Sequence, residues 1–324
     1  MMKTAIVTGV AGFIGSSLAE RLLKNKIRVI GIDSFTKYYP KKIKQNNIKL
    51  LRKNGNFSLI TKDILNTDLK QIFNKSNFLF HLAAQPGVRA SWGKDFGDYS
   101  RNNIQVTQRL LEYAKNSKTL KKIVLASSSS VYGIQNGKMK ESSTNTEPVS
   151  PYGVSKLAVE HLAKAYVKNF DLPIVMLRYF TVYGPKQRPD MAFMKFIMRS
   201  LRNKPITVYG DGNQKRSFTY IDDIVDGTIS STEISKNGEI INLGGGQINS
   251  IKKNIGILED LLGQEIKIIH KDFPEGDVNR TEADMTKAKK LIGFKPKISL
   301  KEGLELQYEF VKENKKLYNF NSHY

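Results

Sequence analysis

The 324-residue sequence contains no cysteine. Disulfides, thiolate–zinc sites, iron–sulfur clusters and a cysteine nucleophile are therefore excluded. Only four histidines are present, so we expect no bound metal. No run of 18 uninterrupted apolar residues occurs, and a membrane span is not expected. Because the N-terminal apolar stretch is too short for a signal-peptide core, a cytoplasmic protein is the expectation.

Acidic residues are scarce relative to basic ones, with 30 Asp+Glu against 52 Lys+Arg and a net charge of +22. Such a balance is typical of proteins that bind nucleic acid or anionic membranes. The lysines, however, are spread over every segment, which indicates a solvated surface, and we expect no specific nucleic-acid partner. Several arginines instead lie beside glycine, proline and aromatic residues, where a planar guanidinium favours bidentate binding of phosphate or carboxylate. They are Arg89, Arg178, Arg188, Arg216 and Arg280.

Up to residue 183, short runs of β-branched and aromatic residues alternate with helical patterns. Strands are predicted at 4–8, 28–32, 57–60, 78–82, 123–126 and 174–178. Helices are predicted near 13–24, 41–53, 67–73, 99–115 and 153–169. This alternation indicates βαβ units, and therefore an α/β protein with a doubly wound parallel sheet.

The pattern changes near Gly184, where prolines become frequent and the elements become short. We therefore predict two domains, a first over 1–183 and a smaller α/β domain over 184–324. A segment near 217–246 is a candidate to return to the first domain.

A glycine-rich turn, TGVAGFIG at 8–15, directly follows the first predicted strand and opens a helix. Glycines there permit a tight turn and close approach of the backbone to a pyrophosphate, which the helix N-terminus attracts. An acid, Asp33, ends the second strand 18 residues after Gly15. Such an acid accepts hydrogen bonds from a ribose and repels a 2′-phosphate, which predicts NAD rather than NADP. A glycine turn that binds nothing is the alternative.

Tyr152 and Lys156 are four residues apart and share a helix face. A lysine ammonium, with nicotinamide charge nearby, lowers the pKa of a tyrosine below its reference of about 10. Tyr152 would then act as a general base, and a hydroxyl from the serines at 127–130 could share the substrate proton. Alone, this spacing equally fits an exposed helix surface. The glycine-rich turn favours the catalytic interpretation.

Together these motifs resemble the extended short-chain dehydrogenases/reductases that act on nucleotide sugars. The shared motifs are TGxxGxxG, Asp33, HLAAQ (81–85), SSSSVYG (127–133) and YGVSK (152–156). The resemblance covers essentially the whole chain, including the tail at 283–304. Four segments, DSFTKYYP, HLAAQPGVRAS, RYFTVYGPKQRPDMAF and YGDGNQKRSF, are most similar to UDP-glucuronate 4-epimerases. The resemblance implies a Rossmann-type NAD-binding domain, a UDP-sugar-binding domain and a homodimer through 99–115 and 153–169.

The resemblance also assigns roles to individual positions. Catalytic roles fall to Ser128, Tyr152 and Lys156. NAD contacts fall to Gly9, Gly12, Phe13, Ile14, Gly15, Asp33, Asp63, Ile64, Leu82, Ala83, Ala84, Gln85, Asn102, Tyr152, Lys156 and Phe180. Substrate contacts fall to Arg89, Ser128, Ser129, Ser130, Tyr152, Thr181, Arg188, Met191, Ala192, Phe193, Arg216 and Arg280.

Structural roles without ligand binding are the alternative for some of these positions. Asp63 is equally a loop carboxylate. For Arg188 the alternative is a clamp between loop and backbone. For Arg216 and Arg280 the alternative is a surface ion pair. The family usually has an aspartate where this chain has Ser217, which weakens the assignment of Arg216.

Two positions distinguish among the relatives. Ser130 stands where sugar-nucleotide 4,6-dehydratases and UDP-glucuronate decarboxylases carry an acid, which disfavours both. Thr181 stands where UDP-galactose 4-epimerases carry asparagine. Its hydroxyl and the guanidinium of Arg188 suit a C6 carboxylate better than a hydroxymethyl group.

We therefore expect an NAD-dependent epimerase that inverts C4 of UDP-glucuronate through a transient 4-keto intermediate, giving UDP-galacturonate. The alternatives are a 4-epimerase of UDP-N-acetylglucosamine or UDP-glucose and, in a different class, a non-catalytic dinucleotide-binding regulator or RNA-binding protein. The +22 charge supports this last class and the intact Ser128–Tyr152–Lys156 set argues against it. His81 is expected to be a packed, hydrogen-bonded side chain rather than a catalyst.

Overall fold

The strands follow runs of β-branched and aromatic residues in the part of the chain that the computed structural model describes, residues 2–318. They are β1 (Thr4–Thr8), β2 (Arg28–Ile32), β3 (Phe57–Ile60), β4 (Phe78–His81), β5 (Lys122–Ser128), β6 (Ile174–Tyr179), β7 (Thr181–Tyr183), β8 (Ile206–Tyr209), β9 (Lys215–Tyr220), β10 (Glu239–Leu243), β11 (Gln247–Ser250), β12 (Ile268–Lys271) and β13 (Arg280–Thr281).

The α-helices occupy the amphipathic stretches between the strands. They are α1 (Phe13–Lys24), α2 (Lys41–Asn47), α3 (Lys70–Phe73), α4 (Phe96–Tyr99), α5 (Val106–Lys115), α6 (Pro151–Phe170), α7 (Ala192–Ser200), α8 (Ile221–Ser230), α9 (Ile251–Leu262), α10 (Thr286–Ile292) and α11 (Leu300–Glu313). Within residues 2–318, no helix is long and apolar enough to cross a membrane.

Seven strands form one parallel sheet in the order β10-β6-β5-β4-β1-β2-β3. Its central strands are apolar on both faces, as in β6, where every residue is buried. Sheets with this composition carry helices on both faces, and separate apolar clusters lie on the two sides. The α/β fold class and the doubly wound parallel sheet are confirmed.

The predicted strands agree with the structure to within two residues at either end. The predicted helix at 99–115 is not a single α-helix, because a π-helical segment at Ser100–Gln105 separates α4 from α5. Such insertions are frequent at functional sites. Likewise, α2 ends at Asn47, whose buried amide donates to the carbonyl of Ala11.

The C-terminal elements build a second, mixed sheet around β9. One edge of β9 pairs antiparallel with β11, and the other pairs parallel with β7 and β13. A separate parallel pair joins β8 to β12. The segment near 217–246 is divided between the layers, since β9 lies in the second sheet and β10 pairs with β6 in the first. The boundary between 1–183 and 184–324 stays a prediction.

His81, at the end of β4, is fully buried in a chain of hydroxyl groups. Its Nδ1 lies 2.7 Å from the hydroxyl of Thr8, which also accepts the N–H of Ala83. Its Nε2 lies 3.0 Å from the hydroxyl of Thr107, which donates to the carbonyl of Asn103. Burial lowers the pKa of His81 to about 3, and the charge of Lys156 acts in the same direction. The ring is therefore neutral at pH 7, and the expected structural role agrees with these contacts.

Because His81 takes up a proton near pH 6.5 only after unfolding, it makes folding less favourable as the pH falls from about 6.5 towards 3. The contribution is up to about 1.4 kcal/mol per pH unit for one proton. We expect His81→Gln to flatten the fall in unfolding free energy between pH 7 and pH 5, measured by urea denaturation. The exposed His161 supplies the control, since His161→Gln should leave the slope unchanged. An unchanged slope in His81→Gln would contradict the assignment.

Candidate active site

A cleft of about 450 Å³ lies at the carboxyl ends of the strands of the main sheet. Its walls include the glycine-rich turn after β1, the segments after β2, β4 and β5, and the start of α6. In open parallel sheets this edge is the usual binding position, because the loops at the strand ends diverge there. The topology therefore brings motifs that are more than 100 residues apart in the sequence to one cavity.

The glycine-rich turn is built for close backbone contact. Gly9 has a φ of +68°, and a Cβ at this position would lie 2.8 Å from the amide nitrogen of Ala83. A Cβ at Gly15 would lie 2.2 Å from the carbonyl oxygen of Gly9. Glycine is required at both positions, the first by conformation and both by space.

The N-terminus of α1 opens onto the cleft with its donors available. The N-cap residue, Gly12, provides no side-chain hydrogen bond, and the first turn carries no acidic side chain. The first backbone N–H groups of a helix lack intrahelical partners and attract anions. Phe13, Ile14 and Gly15 also line the cleft. These features fit a pyrophosphate.

Asp33 is fixed at the end of β2 by two backbone N–H groups. Its Oδ2 accepts from Ala11 at 3.0 Å, and its Oδ1 accepts from Phe35 at 2.8 Å. An ionised carboxylate has about four acceptor sites, so both oxygens can still accept ribose hydroxyl groups. The donor set of the turn and this acceptor together fit a dinucleotide without a 2′-phosphate.

Tyr152 and Lys156 reach the cleft from the first two turns of α6. Ser150 caps this helix by accepting the N–H of Gly153 at 3.1 Å. A Cβ at Gly153 would lie 2.6 Å from the carbonyl oxygen of Ser130, so α6 packs directly against the serine-rich end of β5. The Lys156 ammonium donates to the carbonyl of Ala126 at 2.9 Å.

Burial has the largest effect on the pKa values of this pair. Burial raises the pKa of Tyr152, and a hydrogen bond with Ser128 and the charge of Arg188 oppose that rise. Burial lowers the pKa of Lys156 to about 8, while Glu160 opposes the change. Arg188 is therefore a side-chain cation that opposes the effect of burial on Tyr152, and Lys156 keeps most of its charge at pH 7.

Ser127 and Ser128, at the end of β5, make hydrogen bonds in different surroundings. Ser128 accepts the N–H of Ser130 at 3.1 Å and donates to its hydroxyl oxygen at 3.2 Å, inside the cleft. Ser127 instead donates to the buried carboxylate of Glu160 at 2.5 Å. The same carboxylate accepts two bonds from Arg178, at 2.9 and 2.7 Å. Arg178 thus binds a carboxylate of the protein itself and is not available to a ligand.

All positions that the resemblance assigned to NAD line the cleft. The cleft also contains the predicted substrate contacts Ser128, Ser129, Ser130, Tyr152, Thr181, Arg188 and Met191. Asp63 lines it as well, although its carboxylate already accepts from Arg101 at 2.7 Å.

Five predicted substrate contacts lie outside the cleft lining: Arg89, Ala192, Phe193, Arg216 and Arg280. Phe193 is 1% exposed and packs 4.7 Å from the ring of Phe218, so it belongs to the core. Phe193 was predicted as a substrate contact, but the first turn of α7 directs its side chain inward. Met194 and Met198 are also buried.

The arginines lie around the second sheet. Arg89 pairs with Asp277 at 2.7 Å, and its guanidinium lies 3.9 Å from the ring centre of Tyr209. Burial lowers the pKa of Arg216 on β9. The charge of Asp277 opposes this change, and the charge of Arg89 adds to it, so these groups lie near one another. Arg280, on the neighbouring strand β13, pairs with Glu282. The assignment of Arg89, Arg216 and Arg280 as substrate contacts stays a prediction.

Among the side chains at the cleft that sequence reasoning missed are Tyr38, Tyr39, Lys44 and Asp190. The first three line it, and Asp190 lies behind Arg188 and pairs with it. The aromatic pair in DSFTKYYP, the segment that begins at Asp33, was the available signal. Within residues 2–318, no group of three or more His, Cys, Asp or Glu side chains could hold a metal.

Comparisons with known proteins agree with this geometry. The sequence profile of the NAD dependent epimerase/dehydratase family matches residues 5–244. A UDP-glucuronate 4-epimerase of Thermodesulfobacterium geofontis is 44% identical over 313 residues, 95% of this chain and 96% of that protein. An uncharacterised UDP-glucose epimerase of Bacillus subtilis is 46% identical over 301 residues, 92% of this chain and 95% of that protein.

The fold has close counterparts among solved structures. The crystal structure of UDP-glucuronic acid 4-epimerase from Bacillus cereus, in complex with UDP-glucuronic acid and NAD, has a TM-score of 0.93 and 48% identity. The match covers 96% of this chain and 99% of the Bacillus cereus chain. With the glycine-rich turn, Asp33 and the Ser128–Tyr152–Lys156 set in one cleft, the chain belongs to the NAD dependent epimerase/dehydratase family.

Proposed function

We propose that this chain is an NAD-dependent UDP-glucuronate 4-epimerase, interconverting UDP-glucuronate and UDP-galacturonate. The observation that carries the proposal is the position of Arg188. This guanidinium lines the cleft together with Thr181 and Ser128–Ser130, and its charge reaches Tyr152. A sugar whose C4 hydroxyl contacts Tyr152 would therefore present its C6 group to a cation and several hydroxyl groups. That environment favours a carboxylate.

The residues of the cleft divide the chemistry as follows. The glycine-rich turn, the N-terminus of α1 and Asp33 would hold NAD, which would supply a reversible hydride acceptor for C4 and positive charge beside the phenol. Tyr152 removes the proton of the C4 hydroxyl as the C–H bond breaks, and gives it back when the ketone is reduced. Ser128 hydrogen-bonds Tyr152 and is placed to share this proton. Lys156 holds the helix against β5 through Ala126 and contributes positive charge.

The intermediate from UDP-glucuronate is a β-keto acid. Such acids lose CO2 when the bond to the carboxylate stands perpendicular to the plane of the ketone. Arg188, Thr181, Ser129 and Ser130 all line the cleft. We propose that they hold the carboxylate away from that orientation.

A neutral hexose is the second candidate substrate, since one relative is described as a UDP-glucose epimerase. The non-catalytic alternative loses support from the cleft, where Ser128, Tyr152 and Lys156 all line the same cavity. A homodimer through 99–115 and 153–169 and a cytoplasmic location stay predictions.

Incubation with a panel of UDP-sugars tests the proposal directly. We expect NMR to show conversion of UDP-glucuronate to UDP-galacturonate, approached from either side, with no net consumption of NAD. Conversion of UDP-glucose or UDP-N-acetylglucosamine at a higher kcat/KM would select the alternative substrate. A lack of turnover with every UDP-sugar would favour the non-catalytic class.

Replacement Tyr152→Phe should lower kcat by about 10²–10⁴-fold, because general acid–base groups contribute about this much to turnover. The KM should change little, since the phenolate acts mainly in the transition state. Steady-state kinetics measure both, and thermal unfolding shows whether the variant is folded. Near-normal turnover would place the base on another residue.

Arg188→Met removes the guanidinium but keeps an apolar stem of similar length. A charge-assisted hydrogen bond contributes about 1.5–3 kcal/mol, so kcat/KM for UDP-glucuronate should fall roughly ten- to a hundred-fold. Any residual turnover of UDP-glucose, which has no carboxylate, should fall far less. An equal loss with both substrates would mean that Arg188 only holds its loop in place.

A further inference from the structure

Arg188 is bound from behind by a carboxylate two residues along its own loop. Its Nε donates to Asp190 Oδ1 at 3.0 Å, and its Nη2 donates to Asp190 Oδ2 at 2.9 Å. Both side chains are 22% exposed. Paired parallel bonds between a guanidinium and a carboxylate are the strongest geometry for this contact, and partial burial reduces its screening by water.

A tyrosine from the other side of the cleft fixes the carboxylate of this pair. The hydroxyl of Tyr38 donates to Asp190 Oδ2 at 3.3 Å, across 152 positions of sequence. Burial, followed by the charge of Asp190, raises the pKa of Tyr38 to about 12, so the phenol stays a neutral donor. Burial favours the neutral acid, but Arg188 holds the pKa of Asp190 below its ordinary value. The pair is therefore ionised at neutral pH.

The two partners face different surroundings. Arg188 and Tyr38 line the cleft, whereas Asp190 is absent from its lining. Asp190 occupies the Nε and Nη2 side of the guanidinium, which leaves the hydrogens of Nη1 for a ligand. A ligand carboxylate would therefore meet the Nη1 side of the guanidinium, because the Nε–Nη2 edge is occupied.

The charge of this subsite follows from the pair. Arg188 and Asp190 together carry no net charge, so a carboxylate in the cleft is attracted by a dipole and a few N–H groups. A lone guanidinium would hold it more tightly, because its charge would be unpaired and its Nε–Nη2 edge would be free. An epimerase needs to release this contact during turnover, because hydride returns to the opposite face of the ketone and the ring has to present that face.

We propose that Asp190 is a positioning residue that weakens and orients the grip of Arg188 on the substrate carboxylate, so that the 4-keto sugar can rotate between the two hydride transfers. Tyr38 keeps Asp190 in this role. The inference rests on the proposed function, since it concerns a carboxylate-bearing sugar. In this role Asp190 lowers the affinity for the bound sugar and, by doing so, speeds turnover.

Asp190→Asn tests this, because the amide keeps the size of the side chain and its oxygen but removes the charge. We expect KM for UDP-glucuronate and UDP-galacturonate to fall about three- to tenfold, and kcat to fall by a similar factor. A tighter ground state with a slower turnover gives this joint change. The kcat and KM of any residual UDP-glucose turnover should not change. Asp190→Glu, which restores the charge, should recover most of kcat.

A binding measurement checks the same point without turnover. In the Tyr152→Phe background, Asp190→Asn should tighten the binding of UDP-glucuronate about three- to tenfold by calorimetry and leave UDP-glucose unchanged. Asp222→Asn, which removes a surface carboxylate paired with Arg21 on α1, serves as the matched control and should change nothing. Thermal unfolding confirms that each variant is folded.

The outcomes are distinct. Weaker binding of UDP-glucuronate by Asp190→Asn, or a higher KM with unchanged kcat, would overturn the inference and make Asp190 a mere support for the loop. The same loss for UDP-glucose would also overturn it. Failure of the proposed function would look different: the wild-type protein would form no UDP-galacturonate, whatever residue stands at 190.

Discussion

The ion pair between Arg178 and Glu160 joins the elements on which the site depends. Arg178 lies in β6 and Glu160 lies in α6. Ser127, near the end of β5, donates a third hydrogen bond to the same carboxylate. Side-chain exposure is 3% for the arginine and 0% for the glutamate. Removing one partner of such a pair costs about 3–5 kcal/mol, because the other charge is left buried alone. The pair, together with Ser127, therefore holds α6 against the end of β5, where Ser128 follows Ser127.

The same pair links the catalytic helix to the far edge of the sheet. The guanidinium of Arg178 lies 4.5 Å from the ring centre of Tyr132, whose hydroxyl donates to Asn242 at 2.7 Å. Asn242 lies in β10, the strand contributed by the C-terminal half. Tyr152, Lys156 and Glu160 follow one another at four-residue spacing on α6. One face of one helix thus carries the reacting phenol, its neighbouring cation and the anchor.

The sequence allowed most of the first sheet to be predicted, because each βαβ unit is encoded locally. A strand, a turn and a helix follow within about 30 residues, and their apolar periodicity is sufficient. The second sheet could not be predicted in the same way. The pairings of β9 with β7, β11 and β13 join short segments from residue 181 to residue 281, and no local pattern specifies them. The same limit applies to Tyr38 and Asp190, which are 152 residues apart. Phe193 was misplaced because an apolar residue at the start of a helix fits a core and a pocket equally well.

The strand β12 is an exposed edge strand with a lysine at each end. All four of its residues are exposed, Ile268 and Ile269 among them at 39% and 47%. Within residues 2–318 it pairs with β8 alone, so its outer edge presents free backbone groups. Exposed apolar edges invite pairing with another chain, and flanking lysines oppose it. Lys267 and Lys271 stand at the two ends of this strand, and a second copy docking antiparallel would set each lysine against its counterpart. Like charges at both ends of the strand would therefore oppose such pairing.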